Sequence, residues 1–550
     1  MAGNLKFSST TRGLVQLNPR PAAWFGWHKE RLRLLASLEW TTVGTLALLV
    51  VLGFSLRANQ LGAIGFAEDE MNKLDAVRAY EQKNFAANGE HPMLMKVLML
   101  ASLHSLPATS EEAALRIPNA LLGALTVVPL FLLTAAFFDR WTALLAAAFW
   151  ALGVNAITHN RIGKEDTLLV FFMLFGFYFF LRAKQNPPTH VKTRRRNYMW
   201  SAISFGLMIA SKYFPHYFGL NMLYHHNFRV RQQTPGESGG KTPAFFYILI
   251  CVVFLLANPA VLLPEVWNYM NAYLGEHLLT HSGYLFGDHL YKNNMSSSPF
   301  WGTPIYFYFV FLIIKVPLLI VAAFIVGFAI SIKRRREPAY AFLIFMFLFW
   351  IVPYSLIGGK WLRYTLSLMP LVYMFAAVGV MALVRVTSLR LGDRKNKGVI
   401  VAAAAVVIFV GIPAAAGIAS GPHYALYTNA LGSNRAGYYF PHDEFYDDGV
   451  REAIKYVCDI APLGSTIAHE TPAVARYYLR VYNRQDLHSH AISEQQFNVA
   501  EVSGPTYVIV QRGRTYFENR DELAVVQNTF SKAYEVKINN ATAAEVYAKP

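Results

Sequence analysis

Long apolar blocks constrain this chain more than any other feature. Residues 40–56, 245–263, 305–330 and 399–419 are almost wholly hydrophobic. Wound as a helix, roughly 20 such residues cross a hydrocarbon core about 30 Å thick. Within lipid, a helix satisfies its own backbone hydrogen bonds without water. Composition agrees, since only 15% of residues are charged and 54% are hydrophobic, against about 25% charged in a soluble domain. The expected fold is a polytopic α-helical membrane protein with about eleven transmembrane helices and a small soluble α/β C-terminal domain.

The net charge of +16 does not point to nucleic acid. Its basic residues gather in short loops between apolar blocks, at 192–196, 333–336 and 390–397, without interleaved aromatics. That is the positive-inside pattern, which sets orientation. With those loops cytoplasmic, residues 1–37 form a cytoplasmic N-terminal segment and 38–419 a transmembrane domain. Residues 57–117 form its first outside loop, and 420–550 an extracytoplasmic α/β domain. In that tail the sequence predicts a helix over 448–458, an apolar strand over 507–510 and alternating segments near 533–538 and 544–548. Cys251 lies in an apolar span and Cys458 in the polar tail, so neither a disulfide framework nor a zinc cluster is implied.

Charge near a bilayer is costly, so its distribution carries information. Nearly all charge outside the basic loops falls at predicted outside ends: Glu68, Asp69 and Glu70, then His91, Lys96, Arg116, Arg161, Lys164, Asp166, Lys212, His281, His289, Lys360 and Arg363. One membrane face would thus carry carboxylates and cations together. Such a face suits displacement of a phosphate, in which a carboxylate takes the incoming group's proton and cations hold the departing anion. Plainer readings exist for each group. The acidic triplet could cap a helix N-terminus, and the arginines could snorkel to lipid headgroups. His281 and His289 lack the compact spacing of a metal site. The reading from another class is a polytopic transporter or lipid flippase, which would place charge at mid-membrane and interrupt its helices there.

The order of these residues resembles that of the GT-C superfamily, in particular the protein O-mannosyltransferase and aminoarabinose-transferase-like group of lipid-carrier-dependent enzymes. Phe66-Ala67-Glu68-Asp69-Glu70 resembles the acidic pair of that group's first outside loop, and His91-Pro92-Met93-Leu94-Met95-Lys96 is similar to its HPPLGK stretch. Leu115-Arg116-Ile117-Pro118-Asn119 resembles the Arg-led opening of the second span. Asn160-Arg161-Ile162-Gly163-Lys164-Glu165-Asp166, Ser211-Lys212-Tyr213, His281-Ser282-Gly283-Tyr284 and Lys360-Trp361-Leu362-Arg363-Tyr364 continue the series. Met93 and Met95 depart from the pattern, and His91 tilts the likeness toward the mannosyltransferases.

The resemblance implies an inverting glycosyltransferase of the inner (plasma) membrane, facing the periplasm or cell exterior. Its donor would be a polyprenyl-phosphate-linked sugar and its acceptor a hydroxyl on a protein Ser/Thr, a lipid or a glycan. It implies Asp69 as general base, with Glu70 shaping the acceptor site. Arg161, Lys212, Lys360 and Arg363 would meet the carrier phosphate, and His91 and Arg116 would line or brace the site. Asp166, His281 and Tyr364 complete the expected binding set. No cofactor, divalent metal or nucleic acid is expected; membrane lipid is.

Overall fold

The computed structural model describes residues 39–186, 189–213, 216–225, 242–274, 283–294, 300–391, 397–433, 435–493, 498 and 501–549. The described residues divide between Ala47 and Leu48 into two units. The first contributes the opening turns of the helix Trp40–Ala58. In the second, the membrane helices and the tail belong to one body.

Among the described residues six helices are long and apolar enough to cross a membrane, or up to eight if each of two bent pairs is one span. The expected eleven are therefore not all reached by length and apolarity. Val191–Ser211 is long but begins with its basic cluster, His216–Tyr224 has 9 residues, and Ala244–Ala257 has 14.

The bent pairs show how interrupted helices are tolerated. Arg140–Leu152 and Val154–Asn160 meet at 53°, across Gly153, where a Cβ would run into the Phe149 carbonyl and the Tyr373 ring. Phe307–Ile314 and Leu318–Lys333 meet at 118°, across a break containing Pro317, which has no N–H to continue a helix. Side chains from elsewhere satisfy the freed carbonyls. Asn155 donates to Lys315 O at 2.8 Å, and the tail's Asn429 donates to Ile313 O at 2.6 Å and Val316 O at 2.7 Å.

The first polar loop is itself helical, with Glu68–Glu81 followed by Met93–Ser105. Glu68, Asp69 and Glu70 occupy the first turn of the former, where the helix dipole favours negative charge. Glu70 also reaches back to accept from Ala67 N at 3.1 Å, closing that helix end.

Strands β1 (Gly283–Phe286) and β2 (His289–Lys292) form an antiparallel hairpin. In the tail, β3 (Thr466–His469), β4 (His488–Ala491), β5 (Thr506–Gln511), β6 (Ser531–Ile538) and β7 (Ala541–Lys549) make one sheet of order β4-β3-β5-β7-β6. Both neighbours of β3 run parallel to it, and β7 pairs antiparallel with β5 and β6. The apolar run at 507–510 lies in β5, and the alternating segments lie in β6 and β7. The predicted helix appears as Val450–Ile460, two residues later because Gly449, at φ 89°, precedes it. Both cysteines are free.

One hydrophobic core unites the loop helices with the tail. Phe66, Met71, Leu74 and Val77 pack in the same buried cluster as Val450, Ile454 and Tyr478. The tail is thus fixed directly against the helix that carries the acidic triplet.

Candidate active site

Asp69 lies where the fold brings several distant segments together. Its Oδ2 accepts from Arg363 Nη1 at 2.7 Å and from the Tyr446 hydroxyl at 3.0 Å, and lies 3.1 Å from Lys164 Nζ. The side chain keeps 33% of its surface exposed, so the cluster opens outward. Burial by itself would raise this carboxyl, but the adjacent Lys164 and Arg363 outweigh it and hold it well below the usual carboxylate range.

Glu70, the next residue, is occupied differently. It is 1% exposed. It accepts from Arg116 Nε at 2.8 Å, Arg116 Nη2 at 2.5 Å and Gly163 N at 2.7 Å, besides its own helix end. Arg116 spends its remaining donors on the carbonyls of Leu61, Ile64 and Gly65. This buried pair ties the loop, the start of the helix Glu111–Leu125 and the 160–165 segment together.

Two of the cations expected at the phosphate point elsewhere. Arg161 donates to the carbonyls of Leu56, Arg57, Asn59 and Gln60, completing the C-terminal end of the helix Trp40–Ala58, and stacks 5.3 Å from the Tyr424 ring. Lys360 is fully buried and donates to Thr303 O at 2.5 Å and to Ile357 O. Their positive charge sits on backbone carbonyls, because each lies where a helix ends or breaks.

The remaining expected residues cluster more closely. Lys212 pairs with Asp166 at 2.6 Å and lies 4.8 Å from the Tyr364 ring, which also flanks Arg363. Arg363 Nε has no hydrogen-bond partner among the described residues. His91 Nδ1 stands 3.8 Å from Glu165, which pairs with Lys73 at 2.6 Å. Burial keeps His91 well below its ordinary value and therefore neutral. His281 lies outside the described residues.

Sequence reading missed the tail's share of the site. Arg514 bridges Glu68, at 2.7 Å, and Asp447, whose Oδ1 accepts from Arg514 Nε at 2.6 Å. Asp447 also accepts from Glu68 N at 2.9 Å. Tyr478 OH donates to Glu112 at 3.0 Å and accepts from Phe66 N at 2.9 Å. Nearby, Glu444 pairs with Lys315 at 2.6 Å, and Tyr284 OH donates to Asp443 at 2.5 Å. Burial pushes Asp443 up to about 6. The available signal is the acidic density of residues 443–448, whose four carboxylates are buried.

A small cavity of about 50 Å³ adjoins the cluster and is lined by Glu70, Arg116, Arg161, Tyr424 and Tyr446, among others. Among the described residues, no three His, Cys, Asp or Glu side chains come together in a group that could hold a metal ion.

Residues 90–262 match the sequence profile of the dolichyl-phosphate-mannose-protein mannosyltransferase family. Among solved structures the chain is similar to ArnT from Cupriavidus metallidurans bound to undecaprenyl phosphate. The two are 16% identical with a TM-score of 0.51, over 92% of this chain and 98% of that one. The apo state of the same ArnT matches at 16% identity and a TM-score of 0.51, over 93% and 98%. The apo oligosaccharyltransferase of Archaeoglobus fulgidus aligns at 12% identity and a TM-score of 0.48, over 86% and 70%. No curated protein matches the sequence. The profile match covers under a third of the chain, and the likeness to ArnT, at 16% identity, shows a shared fold.

Proposed function

We propose that the protein transfers a sugar from a polyprenyl-phosphate carrier to an acceptor hydroxyl on the periplasmic or extracellular side of the plasma membrane, by a single inverting displacement. The observation that carries this reading is Asp69 set between Arg363 and Lys164, with the Lys212–Asp166 pair alongside. A carboxylate base for the acceptor and cations for a phosphate occupy one site, as the reaction requires.

In the reaction, Asp69 takes the proton of the acceptor O–H. The acceptor oxygen forms a bond to the anomeric carbon on the face opposite the phosphate. The bond from that carbon to the phosphate oxygen breaks, and its electron pair leaves with the polyprenyl phosphate. Arg363, Lys164 and Lys212 meet the charge growing on the leaving oxygen. Arg161, Lys360 and Arg116 brace the segments that carry them.

The resting arrangement has a chemical consequence. A carboxylate held by two cations is a weak base. A phosphate that draws Arg363 and Lys164 toward itself raises the proton affinity of Asp69 when the acceptor needs it. The carrier therefore acts before the acceptor.

Binding of undecaprenyl phosphate to the protein in lipid nanodiscs tests the phosphate side. Arg363→Ala is expected to weaken binding roughly 10- to 100-fold, the size of one lost charge-assisted hydrogen bond. Arg363→Lys, which keeps the charge, should recover part of the loss. Unchanged binding in Arg363→Ala removes this residue from the carrier site.

The acceptor is a protein hydroxyl, a lipid or a glycan. The His91-led segment and the matched family favour mannose as the sugar.

A further inference from the structure

The turn joining the helices Pro441–Phe445 and Val450–Ile460 is held in an unfavourable backbone conformation. Tyr446 and Asp447 both adopt left-handed conformations, at φ 48° and 63°. Consecutive non-glycine residues remain in that region only when their surroundings fix them, and such positions concentrate at functional sites.

Both side chains here are fixed by the acidic helix. Asp447 is gripped by Arg514 and by Glu68 N, and the Tyr446 hydroxyl donates to Asp69. The contacts to Asp69 also share one feature. Arg363, Tyr446 and Lys164 all approach Oδ2, while the side chain keeps a third of its surface open.

We propose that Tyr446 is a positioning residue for Asp69: its hydroxyl anchors Oδ2, turns Oδ1 toward the acceptor, and makes turnover depend on the docked tail. The proposal rests on Asp69 being the base. A neutral phenol suits the task because a phosphate that attracts Arg363 and Lys164 exerts no comparable pull on it. When the cations turn to the carrier, Tyr446 remains to hold the carboxylate's orientation. Misorientation of a reacting group by about an ångström can cost on the order of 10²-fold in rate, which sets the scale of the effect.

The test uses the full chain in nanodiscs and whichever of undecaprenyl-phosphate mannose, glucose or aminoarabinose the wild-type protein turns over. Tyr446→Phe keeps the ring and the backbone preference while removing the hydroxyl. We expect kcat to fall roughly 10- to 100-fold, with KM for the donor and the melting temperature unchanged. The acid limb of the kcat profile should also move to higher pH, because a lost donor to the ionised form raises the carboxylate's proton affinity. Other groups facing Asp69, namely Lys164, Arg363, Lys73, Glu68 and Tyr364, are the same in both proteins.

A wild-type kcat in Tyr446→Phe overturns the proposal, as does a loss of activity that only tracks a lower melting temperature or a raised KM. Asp69→Asn, measured in parallel, separates the two claims. If it retains full activity the base assignment fails. If it is inactive while Tyr446→Phe is normal, only the positioning role fails.

Discussion

Replacing Asp69 with Asn is expected to lower transfer by about 10²- to 10⁴-fold, the contribution of a positioned general base, while the protein folds and inserts normally. The amide is nearly the same size and cannot take a proton. It also loses its attraction for Arg363 and Lys164, so undecaprenyl phosphate should bind at least as tightly as before. Reduced turnover with retained carrier binding distinguishes a missing base from a damaged site. Titration curves of turnover and of carrier binding in the same nanodisc preparation check both halves. Comparable losses in both would mean that Asp69 holds the site together and does no proton chemistry.

The second large effect falls on stability. Glu70→Ala should destabilise the protein by roughly 3–5 kcal/mol, because it strands a buried arginine without its counter-charge. Arg116 is 5% exposed on its side chain and Glu70 1%, so solvent compensates little for the lost partner. The cost includes the Gly163 and Ala67 amides, which both donate to Glu70. Thermal unfolding in detergent reads this directly, with Asp69→Asn as the comparison expected to melt near wild type. The double variant Glu70→Ala/Arg116→Met should recover part of the loss by removing the unpaired charge. If Glu70→Ala melts at the wild-type temperature, the brace reading is wrong.

The two neighbouring acids illustrate what the sequence could and could not convey. That Asp69, Arg116, Arg161, Lys212 and Arg363 would share one face followed from the alternation of apolar blocks with basic loops. Which of them would remain free for a ligand did not follow. An arginine beside a helix end is drawn onto carbonyls, as Arg161 is, and this depends on where each helix stops to within a residue or two. Spacing also could not show that Glu70 faces inward while Asp69 faces the cluster. Adjacent helical residues point about 100° apart, and only the packed neighbours decide which direction is interior.

The tail was legible as α/β from its alternating strands but not as part of the site. Tyr446 reaches Asp69 across 377 residues of sequence, by way of a left-handed turn for which Tyr and Asp give no compositional cue. The span count suffered for a related reason. Short apolar stretches such as 216–224 and 244–257 are helices, but too short to cross unaided.

The central claim is that one site holds both the acceptor's base and the carrier's phosphate. Its most direct test is the product formed by purified protein in lipid given a polyprenyl-phosphate sugar and extracted acceptors, followed by mass spectrometry and by NMR of the anomeric centre. Free polyprenyl phosphate is expected together with an acceptor heavier by one sugar, of inverted anomeric configuration, and about 10²- to 10⁴-fold less of it from Asp69→Asn. A product of retained configuration, or one formed equally well by Asp69→Asn, would contradict it.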